Sequence, residues 1–172
     1  MISVSIVEDN EQVRTTLGRL INRAEGFRCA SQYSNAEAAL EGLPRDRPDV
    51  VLMDINLPGM NGVECVRRAK AAIPGLQVVM LTVYEDTENI FAALAAGASG
   101  YLLKRTSRAE LLEAIREVHR GGSPMTTHIA RKVVQSFQRT GASPQPTENL
   151  SPREAEVLDF LARGFLYKEI AD

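Results

Sequence analysis

The chain is poor in aromatic residues and cysteines and carries no strong charge of either sign. Trp is absent and only 5% of the 172 residues are aromatic, so the core must consist mainly of Leu, Val, Ile and Ala. A formal net charge of -2 gives no global electrostatic attraction to nucleic acid or to an anionic membrane. The two cysteines, Cys29 and Cys65, lack the close spacing of metal ligands. We therefore expect reduced thiols, as in cytosolic proteins.

Long hydrophobic runs are also missing. No apolar stretch approaches the ~20 residues that a membrane-spanning helix needs, and the N-terminus reaches Glu8 and Asp9 after one strand-sized run. A secretory signal peptide, in contrast, has a basic start and a longer apolar segment. The sequence therefore predicts a cytoplasmic protein with no membrane partner.

Short apolar runs alternate with longer amphipathic stretches along residues 1–120. The run Val-Val-Leu-Met at 50–53 is continuously apolar, which is typical of a strand buried on both faces. Apolar side chains in 108–120 recur at helical spacing instead. The alternation predicts an α/β fold, a doubly wound (βα)5 parallel sheet with helices on both faces. The predicted strands are 2–7, 27–33, 49–55, 77–82 and 100–103, and the predicted helices are 10–24, 35–43, 62–72, 87–96 and 108–120.

Polar side chains follow the predicted strands. Glu8 and Asp9 come after the first strand and Asp54 lies near the end of the third. Reactive groups in open parallel sheets gather beyond the carboxyl ends of the strands, so these carboxylates should share one pocket, where a cation such as Mg²⁺ would relieve their repulsion. The fourth strand ends in Thr82, a hydroxyl donor, and the fifth in Lys104, an ammonium suited to phosphoryl oxygens. Each residue alone has an ordinary structural explanation, but together they fit a carboxylate that accepts a phosphoryl group.

Four segments, in this order, resemble the receiver domain of bacterial two-component response regulators across about residues 1–120. They are Val-Glu-Asp-Asn at 7–10, Met-Asp-Ile-Asn-Leu-Pro-Gly-Met-Asn-Gly at 53–62, Leu-Thr at 81–82 and Gly-Ala-Ser-Gly-Tyr-Leu-Leu-Lys at 97–104. The resemblance implies the flavodoxin-like receiver fold. It also implies that Asp54 accepts a phosphoryl group from the phosphohistidine of a sensor histidine kinase. The implied Mg²⁺ ligands are Asp9, Asp54, the backbone carbonyl of Asn56 and, through water, Glu8.

The resemblance also implies a switch. Thr82 and Lys104 would stabilise the phosphoryl group, and Tyr101 would swing inward when the Thr82 hydroxyl turns toward it. A local event of this kind biases a surface between two states. The protein would then catalyse only its own phosphoryl transfer and dephosphorylation, and would not otherwise be an enzyme.

Two positions beside the site bear on the chemistry. A phosphohydrolase with an aspartyl-phosphate intermediate needs a second acid two residues after the nucleophile, where this chain has Asn56. Val83 departs from the small residue that usually follows the threonine in the receiver family. A branched side chain beside the pocket predicts slow phosphoryl exchange at Asp54.

The pattern changes after residue 120. Gly-Gly-Ser-Pro at 121–124 interrupts the fifth helix, apolar spacing predicts a further helix at 127–138, and 141–149 is a polar segment that contains proline. We expect this further helix to pack against the receiver or against a second protomer. The predicted divisions are a receiver at 1–120, a linker with a helix at 121–149 and a separate module at 150–172.

The last segment has the pattern of a helix start. Ser151 is a candidate N-cap, Pro152 suits the first helical position and Glu154 completes a capping box. Residues 150–172 resemble the opening of the LuxR/NarL-type helix-turn-helix, an all-α output domain. Its second helix reads the major groove, and that helix would follow Asp172.

We therefore expect a DNA-binding response regulator of the NarL/FixJ type, here as a fragment that lacks the recognition helix; a natural truncation is the other explanation. DNA is an expected partner only if a longer chain completes the helix-turn-helix. Phosphorylation should promote a homodimer or release the output domain. The alternative is a stand-alone receiver that acts as a phosphorelay shuttle or as a protein-interaction module, without DNA binding.

Overall fold

The structure, a computed structural model, describes residues 1–141, 152–154 and 157. Five parallel strands form one sheet with helices between them, which confirms the α/β prediction. The strands are β1 (Ile2–Val7), β2 (Phe27–Tyr33), β3 (Val50–Met53), β4 (Gln77–Thr82) and β5 (Gly100–Leu103). The helices are α1 (Glu11–Arg23), α2 (Ala36–Asp46), α3 (Gly62–Ala72), α4 (Thr87–Ala95), α5 (Arg108–His119) and α6 (Thr127–Gly141). None of the helices in these described ranges is long and apolar enough to cross a bilayer.

The strand order is β2-β1-β3-β4-β5. The chain moves from β1 to one side for β2 and then returns to the other side of β1 for β3. This reversal places a topological switch point between β1 and β3, where ligands of open α/β sheets bind. All pairs are parallel, so the carboxyl ends of the strands lie at one edge of the sheet.

The core lies in two layers, one on each face of the sheet. Val50 and Leu52 of β3 pack in the cluster formed with α1 and α5. Val51 and Met53, which alternate with them, pack in the cluster formed with α2, α3 and α4. Because both faces are covered, β3 is continuously apolar, as its sequence predicts.

The helices that follow the five strands each begin at a side chain that accepts a backbone N–H. The N-caps are Asn10, Asn35, Asn61, Asp86 and Ser107. Glu110 completes a capping box with Ser107 by accepting a hydrogen bond from its backbone N–H. Such caps satisfy otherwise unpaired N–H groups in the first helical turn. These caps fix the residue at which each of the five helices begins.

Helix α2 is longer than the sequence predicts. The pattern suggested an end at Leu43, before Pro44, but the helix continues to Asp46. The φ of proline is compatible with a helix, and its missing N–H removes only one hydrogen bond near the end. Arg47 adopts the left-handed conformation at φ 43° and donates its N–H to the Leu43 carbonyl at 2.9 Å, which ends the helix.

Helix α6 packs against the sheet domain. The segment before it runs beside β5, where the Tyr101 N–H donates to the Pro124 carbonyl at 2.9 Å. Ile129 is 0% exposed and belongs to the core cluster on the α4 side. The rings of Phe91 on α4 and Phe137 on α6 meet edge to face, with centroids 5.9 Å apart. We expected this helix to pack either against the receiver of its own chain or against a second protomer, and the structure shows the first.

The predicted second module lies mostly outside the described residues. Residues 152–154 and 157 are helical, in agreement with the helix start expected there. Ser151, the expected N-cap, and the remainder of the helix-turn-helix segment fall outside the described residues. The described part of this module places Arg153 and Glu154 beside α4, where they line a cleft of about 550 Å³ together with Phe91.

The two cysteines are free thiols. Cys65 is buried on α3, and burial raises the pKa of its thiol to about 12. Cys29 on β2 is half-buried, and burial raises the pKa of its thiol as well. Neither has the lowered pKa of a reactive cysteine.

Candidate functional site

The acidic side chains converge at the edge where β1 and β3 end. Val7 pairs with Met53, and the Asp54 N–H donates to the Val7 carbonyl at 3.0 Å, so Glu8 and Asp54 leave adjacent strands side by side. Glu8 is 2% exposed and Asp54 4% exposed, whereas Asp9 is exposed to solvent. One carboxylate oxygen of each of the three residues lies within 4.8 Å of the others. The convergence expected from the strand ends is therefore present.

Glu8 is oriented by the start of α1. Its Oε1 accepts the Asn10 N–H at 3.1 Å, and Asn10 itself caps the helix. Burial raises the pKa of the Glu8 carboxyl and the charge of Asp54 adds to this effect, while Lys104 opposes it. A second negative charge beside a buried carboxylate disfavours the ionised form of that carboxylate.

Lys104 joins the two buried carboxylates. Its Nζ lies 2.7 Å from Glu8 Oε2 and 2.7 Å from Asp54 Oδ2. Burial alone would lower the pKa of Lys104, but the hydrogen bonds to Asp54 and Glu8 outweigh it and raise the pKa. The side chain is therefore a firmly held ammonium at the end of β5.

The donor set has the chemistry of a divalent-cation site. The three carboxylates outnumber the single ammonium, so the cluster has a formal excess of negative charge. The candidate ligand atoms are oxygens, and Asp9 opens the cluster to solvent. Mg²⁺ prefers oxygen ligands and usually keeps several waters, so these residues fit it.

Thr82 and Tyr101 are both connected to Tyr84, which follows β4. Thr82 is fully buried, and its Oγ1 accepts the Tyr84 N–H at 3.5 Å. The buried Tyr101 ring points inward, with its hydroxyl donating to the Tyr84 carbonyl at 2.8 Å. Burial raises the pKa of Tyr101, and the negative charges of two nearby aspartates add to it. The two expected switch residues thus both bond to Tyr84, and Tyr101 already lies inward here, in the position that the sequence analysis expects after phosphorylation.

The loop after β3 is closely folded around Asp54. The Asn56 N–H donates to Asp54 Oδ1 at 3.4 Å, and Gly59 has a φ of 75°, which favours glycine. The chain then returns so that the Gly62 N–H donates to the Ile55 carbonyl at 2.8 Å. A Cβ on Gly62 would lie 1.9 Å from the Asp54 carbonyl oxygen. The start of α3 therefore contacts the backbone of Asp54 directly.

Two residues that support the site were missed from the sequence. Arg14 Nη1 on α1 donates to the carbonyls of Glu8 at 2.6 Å and Asp9 at 3.1 Å. Glu37 on α2 accepts the Met60 N–H at 3.0 Å and so braces the loop after β3. Both bond to backbone atoms, which leave no signal in side-chain patterns. Helical spacing places Arg14 near the start of α1 but does not show which carbonyls it contacts.

The family model of the response regulator receiver domain matches residues 4–116 of this chain. The match includes β1 to β5 except for the first residues of β1.

Curated relatives align over the whole chain. The transcriptional regulatory protein LnrK of Bacillus subtilis is 34% identical, over 100% of this chain and 82% of LnrK. The DNA-binding transcriptional activator DevR/DosR of Mycobacterium tuberculosis is 31% identical, over 100% of this chain and 79% of that protein. Among solved structures, a LuxR-family two-component response regulator from Aurantimonas sp. SI85-9A1 aligns with a TM-score of 0.76 and 29% identity. The alignment covers 80% of this chain and 98% of the Aurantimonas protein.

Proposed function

The chain belongs to the LuxR/NarL-type response regulators of two-component systems, and from this premise we propose that Asp54 is its phosphoacceptor. The observation that carries the proposal is the position of the Asp54 carboxylate. It is buried, lies beside Glu8 and Asp9, and is bonded to Lys104 at 2.7 Å. A carboxylate held among acids by one ammonium is arranged to receive a phosphoryl group together with a metal ion.

The proposed transfer is a displacement at phosphorus. A carboxylate oxygen of Asp54 attacks the phosphorus of a phosphohistidine on a sensor histidine kinase. The new O–P bond forms as the P–N bond breaks, and the imidazole nitrogen keeps the electron pair and takes up a proton. Lys104 pairs with one phosphoryl oxygen and the Thr82 hydroxyl donates to another, so both oppose the charge that the transfer brings into the pocket. Hydrolysis of the acyl phosphate by water returns the free carboxylate, so the catalysis is confined to the protein's own phosphoryl group.

The metal ligands follow from the same pocket. We assign Mg²⁺ to Asp9, Asp54 and the backbone carbonyl of Asn56, with Glu8 acting through water. Mg²⁺ supplies positive charge that offsets the excess of carboxylates and the oxygens of the incoming group. The proposal is supported by the closeness of the three carboxylates and by their net negative charge with Lys104.

Phosphoryl uptake tests the function and the metal assignment together. The chain is incubated with acetyl phosphate and Mg²⁺, and its intact mass is followed. We expect one phosphoryl group per chain, and EDTA should reduce the initial rate by at least about a hundredfold, because charge stabilisation dominates this chemistry. No uptake with Mg²⁺ present would contradict the phosphoacceptor proposal, and uptake unaffected by EDTA would contradict the metal assignment alone.

The proposed output is control of transcription. We divide the chain into a receiver at 1–120, a linker with a helix at 121–149 and the opening of a helix-turn-helix domain at 150–172. Support comes from relatives named as transcriptional regulators, which align with all of this chain, and from the helical residues 152–154. We further propose that phosphorylation promotes a homodimer. A stand-alone phosphorelay shuttle is less well supported, because such a protein would not need the aligned segment after the linker.

Val83 is expected to slow the reaction. It follows Thr82 directly, is branched and is 67% exposed, so a bulky side chain faces solvent next to a residue of the proposed site. Val83→Ala should raise the rate of phosphorylation by acetyl phosphate about two- to tenfold, which is a barrier change of up to about 1.4 kcal/mol. Val134→Ala, which truncates an exposed valine on α6, is the matched control and should leave the rate unchanged. Equal rates for wild type and Val83→Ala would show that this side chain does not restrict access.

A further inference from the structure

Arg14 on α1 is bonded to the backbone of the turn that carries two of the proposed metal ligands. Its Nη1 donates to the Glu8 carbonyl at 2.6 Å and to the Asp9 carbonyl at 3.1 Å. Hydrogen bonds from a charged donor are stronger than those between neutral groups. One guanidinium nitrogen therefore holds two consecutive carbonyl groups in a fixed position relative to the first turn of α1.

The Asp9 carboxylate depends on this backbone more than the Glu8 carboxylate does. The Glu8 side chain is buried, and its two oxygens bond to the Asn10 N–H at 3.1 Å and to Lys104 Nζ at 2.7 Å. The Asp9 side chain is exposed, and in the part of the chain that the structure describes no group donates a hydrogen bond to its carboxylate. The Asp9 carboxylate is therefore constrained through its backbone and not through side-chain partners.

The other bonds of this turn lie on either side of the Asp9 carbonyl. The Glu8 N–H donates to the Tyr33 carbonyl at 3.0 Å, which joins the end of β1 to β2. Asn10 caps α1 with its side chain. Among the described residues, Arg14 is the one that donates to the Asp9 carbonyl. Without Arg14, the peptide group after Asp9 would lose its hydrogen bond.

We propose that Arg14 is a positioning residue for the Mg²⁺ site, an inference that rests on the metal assignment in the proposed function. By holding the carbonyls of Glu8 and Asp9, the guanidinium keeps the Asp9 carboxylate close to those of Glu8 and Asp54, so that the metal ligands are assembled in advance. Its hydrogen bonds go to backbone carbonyls, so Arg14 acts on the metal through Asp9. Groups that orient a metal ligand change the affinity for the metal by about 10- to 100-fold.

The charge of Arg14 and its hydrogen bonds have opposite effects on metal affinity. A cation beside a cation site weakens metal binding by repulsion, so loss of the charge alone should strengthen binding. Loss of the two hydrogen bonds frees the backbone of Asp9, and the ordering of this ligand then opposes binding. The sign of the change in affinity therefore distinguishes a positioning role from a purely electrostatic one.

Metal binding by the full chain tests the proposal. Mn²⁺, which takes the same kind of oxygen ligands as Mg²⁺, is titrated without a phosphodonor and followed by electron paramagnetic resonance, with Mg²⁺ as competitor. Arg14→Met keeps an apolar stem but removes the charge and the donors, and should raise the Kd of both metals about tenfold. Arg14→Lys keeps the charge on a single ammonium and should show a smaller increase. Arg19→Met, which removes the same charge from an exposed position on α1, should bind as wild type.

The Mg²⁺ dependence of phosphoryl uptake gives a second readout. In Arg14→Met the Mg²⁺ concentration that gives half the maximal rate should rise about tenfold. The rate at saturating Mg²⁺ should stay within about twofold of wild type, because Lys104 keeps its contact with Asp54 at 2.7 Å. A merely structural role would instead lower the thermal midpoint and reduce the rate at every Mg²⁺ concentration.

The outcomes separate this inference from the proposals on which it rests. If the wild-type chain binds neither metal, the metal assignment and the role of Arg14 are both wrong. If wild type binds metal and Arg14→Met binds it equally well or more tightly, the positioning role is wrong and the metal assignment stands. Should Arg14→Met fail to fold, Arg14→Lys decides the question, and an unchanged Kd in that variant overturns the proposal. The binding titration needs no phosphodonor, so the phosphoacceptor proposal is tested independently.

Discussion

Replacement of Asp54 by asparagine is expected to abolish phosphoryl uptake while preserving the fold. An amide has nearly the shape of a carboxylate but is a far weaker nucleophile, so the O–P bond does not form. The rate should fall by at least about a thousandfold, within the range seen when a nucleophile is removed. Lys104 keeps its second partner, since Glu8 Oε2 also lies 2.7 Å from its Nζ. The variant should therefore unfold in urea at a midpoint close to that of wild type.

Asp49→Asn is the matched control for this prediction. Asp49 precedes β3, so it lies at the opposite end of the strand from Asp54. Its Oδ2 accepts hydrogen bonds from the Ser3 N–H and hydroxyl, both at 2.7 Å, and has no part in the acidic pocket. Intact-mass measurements should show one phosphoryl group on this control and none on Asp54→Asn. Uptake by Asp54→Asn at the wild-type rate would place the acceptor elsewhere in the chain.

The location of the site was predictable because parallel-sheet geometry leaves little freedom. Once 2–7 and 50–53 are parallel neighbours, Glu8 and Asp54 must leave the sheet at the same edge. Lys104 was expected at the same edge because it follows β5, but β4 separates β5 from β3, so its contacts with Glu8 and Asp54 became clear only from the folded arrangement. The pKa shifts of Glu8 and Lys104 did not follow from sequence, because they depend on burial and on distances that only the folded arrangement sets.

The sequence did not show which surface α6 packs against. Its apolar spacing predicted a helix with a buried face, but hydrophobic burial is non-directional and does not identify the covering surface. The answer required the contacts of Ile129 and Phe137 with the core and α4. The supporting bonds of Arg14 and Glu37 were missed for a related reason: their acceptors and donors are backbone atoms, whose positions depend on the loop conformation.

Substitution of Gly62 by alanine should destabilise the protein strongly. In an exposed helix the same change is favourable by about 0.5–1 kcal/mol, because alanine has the higher helix propensity. Here the added Cβ would lie 1.9 Å from the Asp54 carbonyl oxygen and 2.9 Å from the Ile55 Cα. These are backbone atoms, so no side-chain rotation relieves the overlap and α3 must move away from β3. We expect a loss of about 3 kcal/mol in the free energy of unfolding, measured in urea.

Gly75→Ala is the control that isolates this contact. A Cβ at Gly75 would meet nothing within 4 Å, so its stability should stay within about 0.5 kcal/mol of wild type. Phosphoryl uptake distinguishes a local from a global effect. Under conditions where Gly62→Ala remains folded, its rate should still fall, because the shift acts on the backbone of Asp54, the proposed acceptor. Equal stability of the two alanine variants would mean that α3 can start further from Asp54 without cost. A normal uptake rate in a destabilised Gly62→Ala protein would show that the close approach serves the fold and not the position of the nucleophile.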